Sequence, residues 1–148
     1  MPTAKITLNV STFNANGCSV IDRPSIDQSA GNRVYMKSNV PTSPDFNTIA
    51  VKSKGKSELD IEFTITPSTL FPTAMTFSQT NGNGDANGSA NFGTPSIAGN
   101  KVTIKDVFAL DGPTTNAPQW NYTIAIKNSD TPAKTSAIDP GIENTNEV

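Results

Sequence analysis

Apolar and polar residues alternate with a period of two along most of this chain, and that pattern restricts the fold before anything else does. In "SELDIEFTITP", Leu59, Ile61, Phe63 and Ile65 fall on one side, and Glu58, Asp60, Glu62 and Thr64 on the other. "QWNYTIAIKN" sets Trp120, Tyr122, Ile124 and Ile126 on one face, and "AKITLNVST" does the same with Ile6, Leu8 and Val10. Successive side chains of a strand point to opposite faces, so these segments read as strands with one buried face and one wet one. Weaker candidates are "CSVI" (18–21), "RVYMKSN" (33–39), "FNTIAVK" (46–52), "AMTFSQ" (74–79) and "KVTIKDVFAL" (101–110). Turn signals separate them: "NANG", "DRPS", "VPTSPD", "SKGK", "TPSTLFP" and "DGPTTNAP". Seven or eight short strands are expected, and no helical stretch of ten residues.

Residue usage points the same way. Ile, Val and Thr supply 12, 8 and 19 residues against four Leu, and branching at Cβ favours the pleated strand. Strands with one wet face must bury the other against a second layer. The expectation is therefore an all-β, immunoglobulin-like, two-sheet antiparallel β-sandwich over residues 1–128, with a small barrel as the alternative. Residues 129–148 read as a polar C-terminal extension that adds an edge strand around "AIDPGIEN" and frays at its end. A chain of 148 residues suits one domain that buries roughly 70% of its unfolded surface.

Several functions are disfavoured by what is missing. There is no histidine, which removes Ser–His–Asp and Cys–His catalysis and the common zinc ligand sets. A net charge of −2 offers no footprint for nucleic acid or an anionic membrane. No apolar run approaches the ~20 residues of a membrane-spanning helix. Cys18 is the single cysteine, so no internal disulfide forms; beside Val20 and Ile21 it reads as an inert, half-buried thiol. "MPTAKITLNV" shows no basic segment followed by an apolar one, so a soluble, cytoplasmic protein is expected, with a phage particle as the other setting. The sequons at Asn9, Asn87 and Asn121 are discounted, because Asn9 and Asn121 fall inside strands.

Two constellations are candidates for chemistry. Glu58, Asp60 and Glu62 share a strand face, and Lys52, Lys54 and Lys56 sit across a turn at Gly55. This reads as a hairpin with cross-strand ion pairs of about 0.2–1 kcal/mol each, rather than a carboxylate pair for acid–base work. The second is "NGNGDANGSANFG" (81–93). Asn83, Asp85, Asn87 and Gly88 fit the first six positions of a calcium-binding loop, but Thr94 stands where a bidentate Glu belongs. Asn-Gly pairs also favour type I′ turns, so a mobile hairpin loop is the expectation and weak calcium binding the alternative. No metal or cofactor is assigned. Phe71, Phe77 and Phe92 lie in or near turns, as an exposed platform or as one edge of a core.

One resemblance remains. "IDPGIEN" (138–144), following Trp120, Tyr122, Ile124 and Ile126 on one strand face, resembles the ending of the DP-EP family of small bacterial and phage-associated proteins. Asp139, Pro140, Ile142 and Asn144 match that ending, whereas Thr145-Asn146 stand where it carries Glu-Pro. The resemblance implies a compact β-sandwich and supplies no catalytic residue. Physically, Pro140 restricts Asp139 to extended backbone, and Ile142 is placed to anchor the segment. The functional expectation is a non-enzymatic structural or protein-interaction module, pairing through an open sheet edge with a partner or a second copy. The alternative is a calcium- or carbohydrate-binding module using residues 81–93.

Overall fold

In a computed structural model of the chain, residues 3–28, 33–37, 48–52 and 55–146 are described. They form an all-β sandwich of two packed sheets. The strands are β1 (Thr3–Thr12), β2 (Val20–Ile21), β3 (Ser25–Gln28), β4 (Val34–Met36), β5 (Ile49–Lys52) and β6 (Leu59–Thr66), followed by β7 (Phe71–Asn81), β8 (Ser96–Ala98), β9 (Lys101–Asp106), β10 (Gln119–Lys127), β11 (Thr135–Ile138) and β12 (Gly141–Thr145). One turn of 3-10 helix, Thr114–Asn116, precedes β10.

The first sheet runs β2-β1-β6-β9-β8, with β3 continuing along the β1 edge beyond the bend at Asp22, Arg23 and Pro24. The second runs β11-β10-β12-β5-β4, with β7 on the other side of β10. β11 and β12 are one edge of pairing interrupted at Asp139-Pro140. β11 pairs with Ile124–Lys127 and β12 with Gln119–Asn121 of the same strand. Both sheets are mixed, which corrects the antiparallel expectation: β1 runs parallel to β6, and β12 parallel to β5. Alternation sets which face a strand buries, but it carries nothing about the direction of a neighbour.

The three clearest alternating segments behave as read. β6 shows strict alternation of buried and half-buried positions, and Leu59, Ile61, Phe63 and Ile65 have no exposed surface. Trp120, Tyr122, Ile124 and Ile126 meet them from the opposite sheet, fully buried, with the Phe63 and Tyr122 rings 5.1 Å apart across the interface. Each such side chain contributes about 1.5–3 kcal/mol of burial.

Residues 135–145 are not a polar extension. β12 lies between β10 and β5, and all five of its residues are buried, with Ile138 and Ile142 in the core. Of the segment expected as an edge strand, β12 is interior, while β11 stands at the end of the sheet's strand order. The misreading came from Glu143, Asn144 and Thr145, three polar residues that the fold buries.

Two further expectations are corrected. The strands flanking Gly55 belong to different sheets, so they form no hairpin. Glu62 and Glu58 instead face β9, at 3.5 Å from Lys101 and 3.9 Å from Lys105. Lys52 stacks over the Tyr35 ring at 4.8 Å, while Lys54 and the "VPTSPD" turn lie outside the described residues. Cys18 is exposed rather than half-buried. Residues 16–19 run beside β11, and it is Ser19 that turns inward, to the Ser136 hydroxyl at 2.7 Å.

Candidate interaction site

The 81–93 segment is a folded element, not a mobile hairpin tip. Asp85 is buried, and its carboxylate accepts three hydrogen bonds: from the Ala90 amide at 2.7 Å, the Asn91 amide at 3.2 Å and the Asn91 side-chain amide at 2.8 Å. The Trp120 indole donates to the Asp85 carbonyl at 2.9 Å, so the largest core side chain fastens the loop. Gly88 sits at φ +77 with Phe77 where a Cβ would project, 2.6 Å away. Only glycine fits both the backbone and the contact.

This arrangement answers the calcium alternative. Asp85 carries the single formal charge of the proposed ligand set, and it points inward to three N–H donors. Asn83 and Asn87 are exposed, and the Asn87 oxygen accepts from the Ser89 amide at 3.1 Å in a local turn. The structure therefore does not bring Asn83, Asp85 and Asn87 together. No group of three His, Cys, Asp or Glu side chains able to hold a metal occurs among the described residues.

Beside the loop lies a buried polar cluster that alternation concealed. Asp106 Oδ1 accepts from the Asn144 side chain at 2.9 Å and from the Phe108 amide at 3.1 Å, while Oδ2 has no hydrogen-bond partner. Asn91 links this group to Asp85: its side-chain amide donates to the Asp85 carboxylate at 2.8 Å, and its Oδ1 accepts from the Asn144 side chain at 3.5 Å and from the Leu110 amide at 2.8 Å. Burial pushes the Asp106 carboxyl up to about 7 from its ordinary 3.8, against the hydrogen bonds from Asn144 and Phe108 and the charge of Arg33. A signal was present in "KVTIKD": Asp106 falls on the same face as Val102 and Ile104, so an ionisable residue occupies a core position.

A polar cleft of about 490 Å³ opens on the outer face of the second sheet, lined by Cys18, Thr48, Gln119, Asn121, Asp139 and Gly141 among others. The Asp139 carboxylate accepts from the Thr123 hydroxyl at 3.0 Å. Among the described residues, Cys18 and Asp139 are the ionisable side chains along it, and no basic residue lines it to activate either one.

The remaining feature is an edge. On one flank the second sheet ends at β7, opposite β8 and β9 of the first. The Tyr122 amide donates to the Pro140 carbonyl, away from β7, at 2.8 Å. Pairing alternates along an antiparallel ladder, so Phe77 opposite Tyr122 and Met75 opposite Ile124 turn their own N–H and C=O groups away from β10. Gln79 follows the same parity, and its amide is taken by the Ala86 carbonyl at 2.9 Å. At the other end the buried Pro72, opposite Ile126 at a register shift, has no N–H to offer an incoming strand. Between these two guards, residues 74–78 present an unpaired row among the described residues.

Nothing charged protects that row, since β7 reads FPTAMTFSQTN. Sheet edges are ordinarily blunted by charge, proline, bulges or brevity. Among the described residues, β11 is covered by residues 16–19 bonded along it, and the remaining edges follow that rule. β8 has three residues, β4 has three and lies between Arg33 and Lys37, and β2 and β3 are split by the bend at Pro24.

Along the free side of β7 runs a groove of about 430 Å³ between it and residues 87–95, with Met75, Phe77, Phe92 and Pro95 as its apolar lining and the uncharged polar Thr76, Asn87, Ser89 and Thr94 beside them. Phe77 stacks on Phe92 at 4.3 Å, and Phe92 meets Trp120 edge-on at 5.0 Å. Of the aromatics read as a platform or a core edge, Phe92 is buried and Phe77 partly so at the edge of the core, whereas Phe71 is half-buried and outside the core cluster. Compared with protein-family models and with curated proteins, the chain matches none. No helix among the described residues is long and apolar enough to cross a membrane.

Proposed function

We propose that this protein is a non-enzymatic β-sandwich module that binds a protein partner by strand pairing at the β7 edge. The observation that carries this reading is the open row at 74–78. Two outward N–H and C=O pairs, on Met75 and Phe77, stand on the longest strand of the sandwich with no charge to repel an incoming chain. Main-chain pairing at such an edge supplies affinity, and pockets for alternate side chains supply selectivity. The likeness of residues 138–144 to the DP-EP ending supports the same reading, because that ending implies a compact sandwich and carries no catalytic residue. Hydrogen exchange in dilute protein tests it. Met75 and Phe77 amides should exchange orders of magnitude faster than those of Tyr122 and Ile124, which are bonded within the sheet. Slow exchange at Met75 and Phe77 in a dilute monomer would mean that the chain already covers its own edge, and the proposal would fall.

A further inference from the structure

The same flank says what chemistry the partner strand carries, on the reading that β7 is open. Ile97 of β8 pairs directly with Val102 of β9. Directly paired residues of an antiparallel ladder share a face, and Val102 is a core residue with no exposed surface. Ile97 therefore belongs to the inward face of the first sheet, yet it remains 40% exposed. The reason lies in the opposite sheet. β8 extends the first sheet to this flank, but the second stops at β7, so part of the inner face of β8 has no layer across from it.

From this we infer that the β7 edge receives one extended segment of a partner protein, uncharged, with large apolar side chains at alternate positions. Its main chain pairs with Met75 and Phe77. Its inward side chains enter the groove beside Phe92 and Pro95 and cover Ile97, while its outward ones stay in water. Strands in a sheet lie about 4.8 Å apart and packed sheets about 10 Å apart, so a strand added to β7 lies one position further out in the layer facing β8. A charged inward side chain would be desolvated against Phe77, Phe92 and Ile97 with no counter-charge on β7. The inward positions are thereby restricted to apolar residues, and the main-chain row requires an extended conformation.

The probe is the blocked peptide acetyl-Thr-Phe-Thr-Val-Thr-amide, in which Phe and Val share one face of a strand. Three controls accompany it: an N-methylated version lacking the donors that face β7, a version with Asp for Phe, and the Ile97→Asp protein. Hydrogen exchange at Met75 and Phe77 is read together with binding by calorimetry. Saturating peptide should slow exchange at both amides at least tenfold, and each control should weaken binding at least tenfold. Ile97→Asp alters an exposed position and keeps the fold; Ile97→Leu should bind as the parent does.

If Met75 and Phe77 exchange fast but millimolar peptide leaves them unchanged, the partner chemistry is wrong while the open edge stands. If they exchange slowly in the free monomer, the edge itself is not open. Binding that survives N-methylation would overturn strand pairing in favour of simple apolar contact. Protection that rises with protein concentration in the absence of peptide would make a second copy the occupant and overturn the partner-strand inference.

Discussion

The two ends of β7 are built on opposite principles. Near Gln79 the strand enters a region where polar groups are sealed inside: Asp85 saturated by N–H donors, Asn91 and Asn144 bridging to Asp106, and Trp120 closing the loop. Between Ala74 and Ser78 the situation reverses: main-chain groups stand open, and the inward-facing Ile97 of β8 on the same flank is exposed. The sealed end tolerates polarity because each of its polar side chains makes at least one hydrogen bond, although Gln79 Nε2, Asp106 Oδ2 and Asn144 Oδ1 are left without a partner. The open flank tolerates exposure because it presents few side chains that water would disrupt. Burial is thus concentrated where the fold needs definition, and withheld along one edge.

The largest expected effect probes one of the unpartnered atoms of the sealed end, Asp106 Oδ2. Asp106 titrates near 7 in the folded chain and near 3.8 once unfolded, so between those values the folded state holds a proton that the unfolded state has released. The associated stability is complete below about pH 4 and is lost as pH rises through 7, by as much as about 4 kcal/mol. Arg33 and Asp85 are the charged groups that act on it, in opposite directions. Asp106→Asn carries no such slope. Urea denaturation at pH 4 and pH 8 should therefore show the parent losing stability relative to the variant, and parallel curves would refute a titrating Asp106.

Next in size is Asp85→Ala. It leaves the amides of Ala90 and Asn91 and the Asn91 side chain without their acceptor, at a cost of about 2–4 kcal/mol. A loss under 1 kcal/mol would return the loop to a mobile connection. Millimolar calcium should leave the melting temperature of either protein unchanged, and a clear rise would revive the metal reading.

The smallest effect belongs to the open flank. Ile97→Thr should change stability by no more than about 0.5 kcal/mol, because the side chain is already half in water. A larger loss would place Ile97 in the core and erase the difference between the two regions.

The sequence read well wherever one strand face is apolar throughout. β1, β6 and β10 follow their alternation, and Trp120 and Tyr122 fill the core. It read poorly wherever a polar residue is buried with partners far along the chain. Asp106 and Asn144 are 38 residues apart, and no local pattern announces that they meet. β7 is longer than "AMTFSQ" suggests, because Pro72 belongs to the strand rather than to a turn, and a proline suits an edge. β12 reads only as a strand added to an edge, because Ile142 is followed by Glu143, Asn144 and Thr145, which the fold buries. Cys18 was judged by the apolar neighbours Val20 and Ile21, but Val20 itself is 55% exposed. The open edge was anticipated only in kind, since strand order decides which strand ends a sheet.

The place of β12 has a consequence for how the chain assembles as it is made. β5 leaves the ribosome long before the strand that joins it to β10, so β4 and β5 must wait unpaired on that side while six strands of the sandwich are synthesised after them. Contacts between distant parts of a chain form slowly and leave strand edges uncovered meanwhile. The nascent protein therefore passes through a stage with a second uncovered edge, which residues 141–145 close, whereas the edge at β7 outlasts synthesis.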